Sequence, residues 1–88
     1  MIDDKIIYDL LIDTFEKLGY IIKNVNFYKN ELDGVGNIGR MFDVKIIMLD
    51  KKADLKQKTL FLIEELKKID TGNIFLSPVI RTLIKEEI

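Results

Sequence analysis

Apolar positions recur every three or four residues at the start of the chain. Ile6, Ile7, Leu10, Leu11, Thr14 and Leu18 share one side of a helix turning about 100° per residue, which predicts a helix from about Asp4 to Leu18. Asp3 and Asp4 suit its positive N-terminal end, Lys17 suits the last turn, and Gly19 can take the left-handed stop. A second stripe, Leu55, Thr59, Leu62, Ile63, Leu66 and Ile69, predicts a helix that starts between Asp50 and Leu55 and ends at Ile69, with Gly72 beyond it. Asp54 followed by Gln57 has the spacing of a capping box, with Asp50 as the alternative cap.

Between the helices the period drops to two. Tyr20 to Lys29 reads as a strand with Ile21, Val25 and Phe27 on one side, and a polar, glycine-rich connection covers Asn30 to Gly39. Arg40 to Leu49 reads as the clearest strand, with Phe42, Val44, Ile46 and Met48 facing inward and Asp43 and Lys45 facing out. One helix-coated face and one wet face predict an antiparallel hairpin of these two strands. A short strand is expected over Asn73 to Leu76. After Ser77 the chain reads either as a third helix or as a strand through Ile80, Thr82 and Ile84. In the helical reading, which is preferred, Ser77 is the cap, Pro78 the first residue, and Val79, Ile80, Leu83 and Ile84 form one face. The fold class that follows is α+β: a two-layer sandwich with two helices on one face of a three- to four-stranded, mainly antiparallel sheet, in the order α-β-β-α-β with its end open. Its 88 residues suffice for one domain, residues 1–88.

Composition narrows the chemistry. The chain is 48% apolar and 33% charged, with 14 basic against 15 acidic residues, so no overall charge draws it to nucleic acid or membrane. It contains neither histidine nor cysteine, which removes the usual zinc ligands, thiol nucleophiles and the commonest general base. Ser77, the lone serine, precedes a proline and has no histidine partner. No cofactor and no enzymatic activity are expected. The N-terminus lacks the basic lead and apolar run of a signal peptide, and the longest apolar run, Leu60 to Ile63, is far below the ~20 residues of a membrane span. A soluble, cytoplasmic location is the expectation.

Each motif has a plainer counterpart. Gly34-Val35-Gly36-Asn37-Ile38-Gly39 matches G-x-G-x-x-G, but a strand follows it where a nucleotide fold has a helix, so a mobile hairpin loop is expected instead. Asp9, Asp13 and Glu16 cluster at helical spacing and read as a solvated face. Lys51, Lys52, Lys56 and Lys58, together with Tyr20, Tyr28 and Arg40, form the set a nucleic-acid contact would use. Apolar residues that fall off the expected core faces are Ile12, Ile47, Leu49, Leu60 and Phe61. With Val35 and Ile38 of the glycine-rich stretch they form a candidate protein-interaction set. Residues 1–19 carry five acidic and two basic side chains, residues 40–68 five acidic and eight basic, so one copy's acidic helix and another's basic helix could meet head to tail.

The amphipathic first helix, the hairpin with its long loop, the stretch Arg40-Met41-Phe42-Asp43-Val44-Lys45-Ile46-Ile47 and a helix ending Leu66-Lys67-Lys68-Ile69 resemble the small tail-terminator and tail-completion proteins of tailed phages, over about residues 1–76. The resemblance implies helices on an antiparallel sheet, a virion component, and a non-enzymatic role in which ring assembly is the function. The leading expectation is accordingly a protein–protein assembly or interaction module, self-associating or docked on a larger assembly. A small nucleic-acid-binding or regulatory protein is the second reading. A compact inhibitor of a larger machine, with the acidic helix as mimic surface, is the third.

Overall fold

The structure, a computed structural model, describes residues 3–72 and 74–85. Helix α1 spans Asp4–Lys17, strand β1 Tyr20–Val25, β2 Gly36–Met41, β3 Val44–Asp50, helix α2 Leu55–Lys67 and helix α3 Pro78–Lys85. The class is α+β, with helices packed on a three-stranded sheet.

Local chemistry sets the helix ends. Asp3 Oδ1 accepts from the Ile6 N–H at 2.9 Å, and Gly19 takes φ 95° just past the end of α1. Lys45 Nζ donates to the Leu18 carbonyl at 2.8 Å, so a cation from the sheet satisfies a helix C-terminal acceptor. The capping box of α2 is complete: Asp54 Oδ1 accepts from Gln57 N–H at 2.8 Å, and the Gln57 side chain accepts from Asp54 N–H at 3.4 Å. The segment after Ser77 is helical, with Ile80 N–H donating to Ser77 Oγ at 3.3 Å. Ile74 to Leu76 run without strand pairing, so the short strand expected there does not form over those residues; Asn73 lies outside the described residues.

The sheet order is β1-β3-β2. β2 and β3 form an antiparallel hairpin that was not expected, joined at Phe42 and Asp43 with Met41 opposite Val44. β1 lies parallel to β3, Tyr20 opposite Lys45 and Val25 opposite Asp50. The stretch expected as one strand from Arg40 to Leu49 turns back on itself at Phe42 and Asp43, and the part after the turn pairs parallel with the first strand, so the antiparallel hairpin expected between these two stretches does not form. Gly36 to Gly39 lie in β2, so the expected glycine loop is a strand. The connection that remains ties down at both ends, Phe27 N–H reaching Asp50 Oδ1 at 3.4 Å and Asp50 N–H reaching the Val35 carbonyl at 2.8 Å.

The core lies between the helices and one face of the sheet. Leu11 and Phe15 of α1, Ile47 and Leu49 of β3, Leu62 and Leu66 of α2 and Ile80 of α3 are fully buried, with Ile22 and Ile38 packed against them. Ile47 and Leu49 were expected outside and Phe42, Val44, Ile46 and Met48 inside; the structure inverts that strand. Side chains in a strand alternate faces, so taking the other parity moves every one of them across the sheet.

Candidate functional site

The face of the sheet opposite the helices is open. By alternation and register it presents Ile21 and Lys23 of β1, Val44, Ile46 and Met48 of β3, and Asn37, Gly39 and Met41 of β2. Ile21 is 48% exposed, Met41 61%, and Val44 is exposed as well, whereas Ile46 and Met48 in the middle are half-buried by their neighbours. At the end of this face the hairpin tip carries Phe42, 92% exposed. A shallow trough of about 310 Å³ runs across the surface, lined by Lys23, Asn37, Gly39, Arg40, Met41, Ile46 and Met48. Apolar side chains from all three strands thus meet on a face that the helices leave open.

Two features of the backbone shape it. Gly39 has no neighbour within 4 Å of where a β-carbon would stand, so the chain's own packing does not require glycine there. Gly36 is the reverse: a β-carbon would come 2.5 Å from Cε2 of Phe61. Phe42 holds φ 57° at the first position of the two-residue hairpin loop, a conformation that glycine favours and bulky side chains avoid.

The charges are simply arranged. Lys23 and Arg40 are among the residues lining the trough, but Arg40, opposite Lys45 in the register, belongs by alternation to the helix side; none of the lining residues is acidic. Asp43 stands beside Phe42 at the tip. Among the described residues the ion pairs lie along α1 and along α2 with its C-cap residue Lys68, Lys5 with Asp9 at 2.9 Å and Lys17 with Asp13 at 3.1 Å among them, so Lys23, Arg40 and Asp43 belong to none. The acidic cluster of the first helix is thus partly paired along its own surface. Every buried side-chain nitrogen or oxygen among the described residues has a hydrogen-bond partner. The trough offers apolar contact with Lys23 on its face rather than a reactive polar constellation.

The residues singled out in the sequence are scattered by the fold. Ile47 and Leu49 are core residues and cannot form an outward surface. Ile12, Val35, Ile38 and Phe61 are half-buried, Ile38 on the helix side of the sheet and Phe61 over Gly36. Leu60 alone of that set is largely exposed, at 53%, and it lies on α2, not on the open face. The nucleic-acid set is likewise divided. Tyr20 packs edge-on to Phe15 with ring centroids 5.5 Å apart and Lys45 Nζ 5.1 Å from its own centroid, so it is no free stacking platform. Lys58 Nζ lies 5.6 Å from the Tyr8 ring centroid. Tyr28, Lys51, Lys52 and Lys56 are exposed, but Arg40 pairs with Lys45 whereas Lys51 follows the end of β3, about 20 Å away at about 3.3 Å per strand residue.

The residues that build the open face were read as interior or passed over. One sequence signal does point to them: Ile46-Ile47-Met48-Leu49 is a continuous apolar run, the pattern of a strand covered on both sides, and β3 carries a parallel neighbour, which sheets almost always cover on both faces. Among the described residues no helix is long and apolar enough to cross a membrane. No protein-family model, curated protein or solved structure matches the chain.

Proposed function

We propose that this chain is a non-enzymatic protein–protein interaction module that works through the open face of its sheet. One observation carries the reading: the central strand is apolar on both sides, and its own helices cover only one of them. Ile47 and Leu49 are fully buried beneath α1, α2 and α3, whereas Val44, Ile46 and Met48 stand outside that core beside Ile21 and Met41. Burying apolar area at about 25 cal/mol per Å² favours covering the second side with another macromolecule. The absence of histidine and cysteine from the sequence supports a binding role over a chemical one. A ring-forming structural component, as the resemblance to phage tail-terminator proteins implies, is one form such a module takes. Nucleic acid is a weaker candidate because the exposed cations are divided between opposite ends of β3.

Site-specific photo-crosslinking in the native host tests the reading. A photoreactive side chain in place of Met48 or Ile21 should trap protein, and one in place of Glu64, on an exposed part of α2, should not. Trapping at Glu64 alone, or of nucleic acid at the sheet positions, would overturn it.

A further inference from the structure

We propose that the free edge of the sheet at β2 receives an extended segment of another protein, which adds antiparallel as a fourth strand and places an acidic, an aromatic and a β-branched residue opposite Arg40, Gly39 and Ile38. The inference rests on the interaction-module reading and gives the chemistry of its partner.

β2 stands at one end of the strand order, and one contact fixes the phase of its hydrogen bonding. Asp50 N–H donates to the Val35 carbonyl at 2.8 Å, and bonded pairs alternate along an antiparallel ladder. Asn37, Gly39 and Met41 therefore turn their backbone groups toward β3, whereas Gly36, Ile38 and Arg40 turn theirs off the sheet. Among the described residues no backbone hydrogen bond outside the sheet engages those three. Donors and acceptors at this spacing are matched by the main chain of another strand. β2 also lacks the devices that close an edge. Gly36 to Met41 pair one for one with β3 without a bulge, and they include neither proline nor lysine. The opposite edge, β1, carries Lys23 in its middle.

Side chains specify the segment. Gly39 leaves open space on the uncovered face, opposite Ile46, and an aromatic residue on a neighbouring strand packs over a glycine at a sheet edge. On the helix side Arg40 is exposed, lies opposite Lys45 and belongs to no ion pair among the described residues. Like charges directly opposite each other repel, and Lys45 Nζ is turned to the Leu18 carbonyl. A carboxylate on an added strand supplies the partner that Arg40 lacks. Ile38, half-buried on the same side, suits a β-branched neighbour. The antiparallel ladder is the more stable of the two, and in it the segment reads acidic, aromatic, β-branched from its N-terminal end.

Nuclear magnetic resonance titration with the peptide acetyl-Ser-Glu-Phe-Val-Thr-amide, raised to about 2 mM to detect a millimolar Kd, tests the proposal. Saturable shifts and slowed hydrogen exchange should appear at the amides of Gly36, Ile38 and Arg40, and not at those of Tyr20, Ile22 and Asn24 on the far edge. N-methylation of the peptide's valine, whose N–H faces β2, should abolish binding. N-methylation of its phenylalanine, whose N–H faces away, should leave binding intact. Exchanging the peptide's glutamate for lysine should weaken binding about fivefold, and Arg40→Glu should restore it for the lysine peptide. No saturable shift, equal shifts at both edges, indifference to the valine N-methyl group, or no recovery in the charge exchange would overturn the proposal. A silent peptide beside protein crosslinks from Met48 would overturn the edge addition while leaving the interaction-module reading in place.

Discussion

The Phe61 ring of α2 rests directly on the backbone of Gly36 at the start of β2, with no room between them for a β-carbon. This contact joins the second helix to the edge strand and aims the hairpin whose other side forms the open face. It also explains why Phe61, an outlier on the helical wheel, is half-buried.

Gly36 and Gly39 should therefore respond oppositely to alanine. Gly36→Ala forces the Phe61 ring to move and should lower stability by about 1–3 kcal/mol, the usual cost of overpacking. Gly39→Ala meets nothing and reduces the freedom of the unfolded chain, so it should raise the stability of the monomer by about 0.5–1 kcal/mol. Urea unfolding of both variants at low concentration checks the pair of signs.

The two faces of β3 can be weighed in the same way. Ile47 is fully buried and Ile46 lies on the open side. Ile47→Ala should cost about 2–5 kcal/mol, and Ile46→Ala under 1.5 kcal/mol in the dilute monomer, since little of its environment is packed. Similar losses at both positions in urea titrations would mean that the strand is buried on both sides within a single chain.

That contrast also shows where sequence reading stopped. Both long helices were readable because their caps are chemical: Asp3 and the Asp54–Gln57 box are local patterns with local hydrogen bonds. Ser77 worked the same way for α3. The hairpin turn was not readable, because Phe42-Asp43 contains none of the glycine or asparagine that normally marks a positive φ. Without the turn, ten residues read as one strand. Alternation then could not choose a face, since Val44, Ile46 and Met48 form the more apolar set and yet point outward. Lys45, on the helix side, looked wrong for an interior until its Nζ was seen capping the Leu18 carbonyl. Only the packing of the helices decides the parity, and the residues of the open face follow from that decision.

Asp54 satisfies one of the otherwise orphaned N–H groups of α2 and attracts the positive end of its dipole. Asp54→Ala should lower stability by about 1 kcal/mol and Asp54→Asn by much less, because asparagine caps almost as well. Thermal unfolding of the two variants separates the cap from the charge.

Tyr8 sits half-buried between α1 and α2, with Lys5 and Lys58 ammonium groups 5.8 and 5.6 Å from its ring centroid. Burial raises its phenol above the ordinary value of 10.0, against the pull of Lys5, which favours the phenolate. The fold thus prefers the neutral phenol. Its contribution to stability is complete below about pH 10 and is lost as the pH climbs through the raised value. Tyr8→Phe should flatten the loss of stability above pH 10, read by urea unfolding across that range.

Phe42 carries a backbone cost that its own chain does not repay. Its positive φ costs a bulky residue about 1–2 kcal/mol relative to glycine, and at 92% exposure the ring recovers almost none of that from its own chain. Phe42→Gly should therefore make the dilute monomer more stable by about 1 kcal/mol, a rise in melting temperature of about 4–8 °C for a domain of this size. Differential scanning calorimetry at low protein concentration reads the change. If Phe42→Gly leaves the dilute melting temperature unchanged or lowers it, the ring is held by contacts within its own chain.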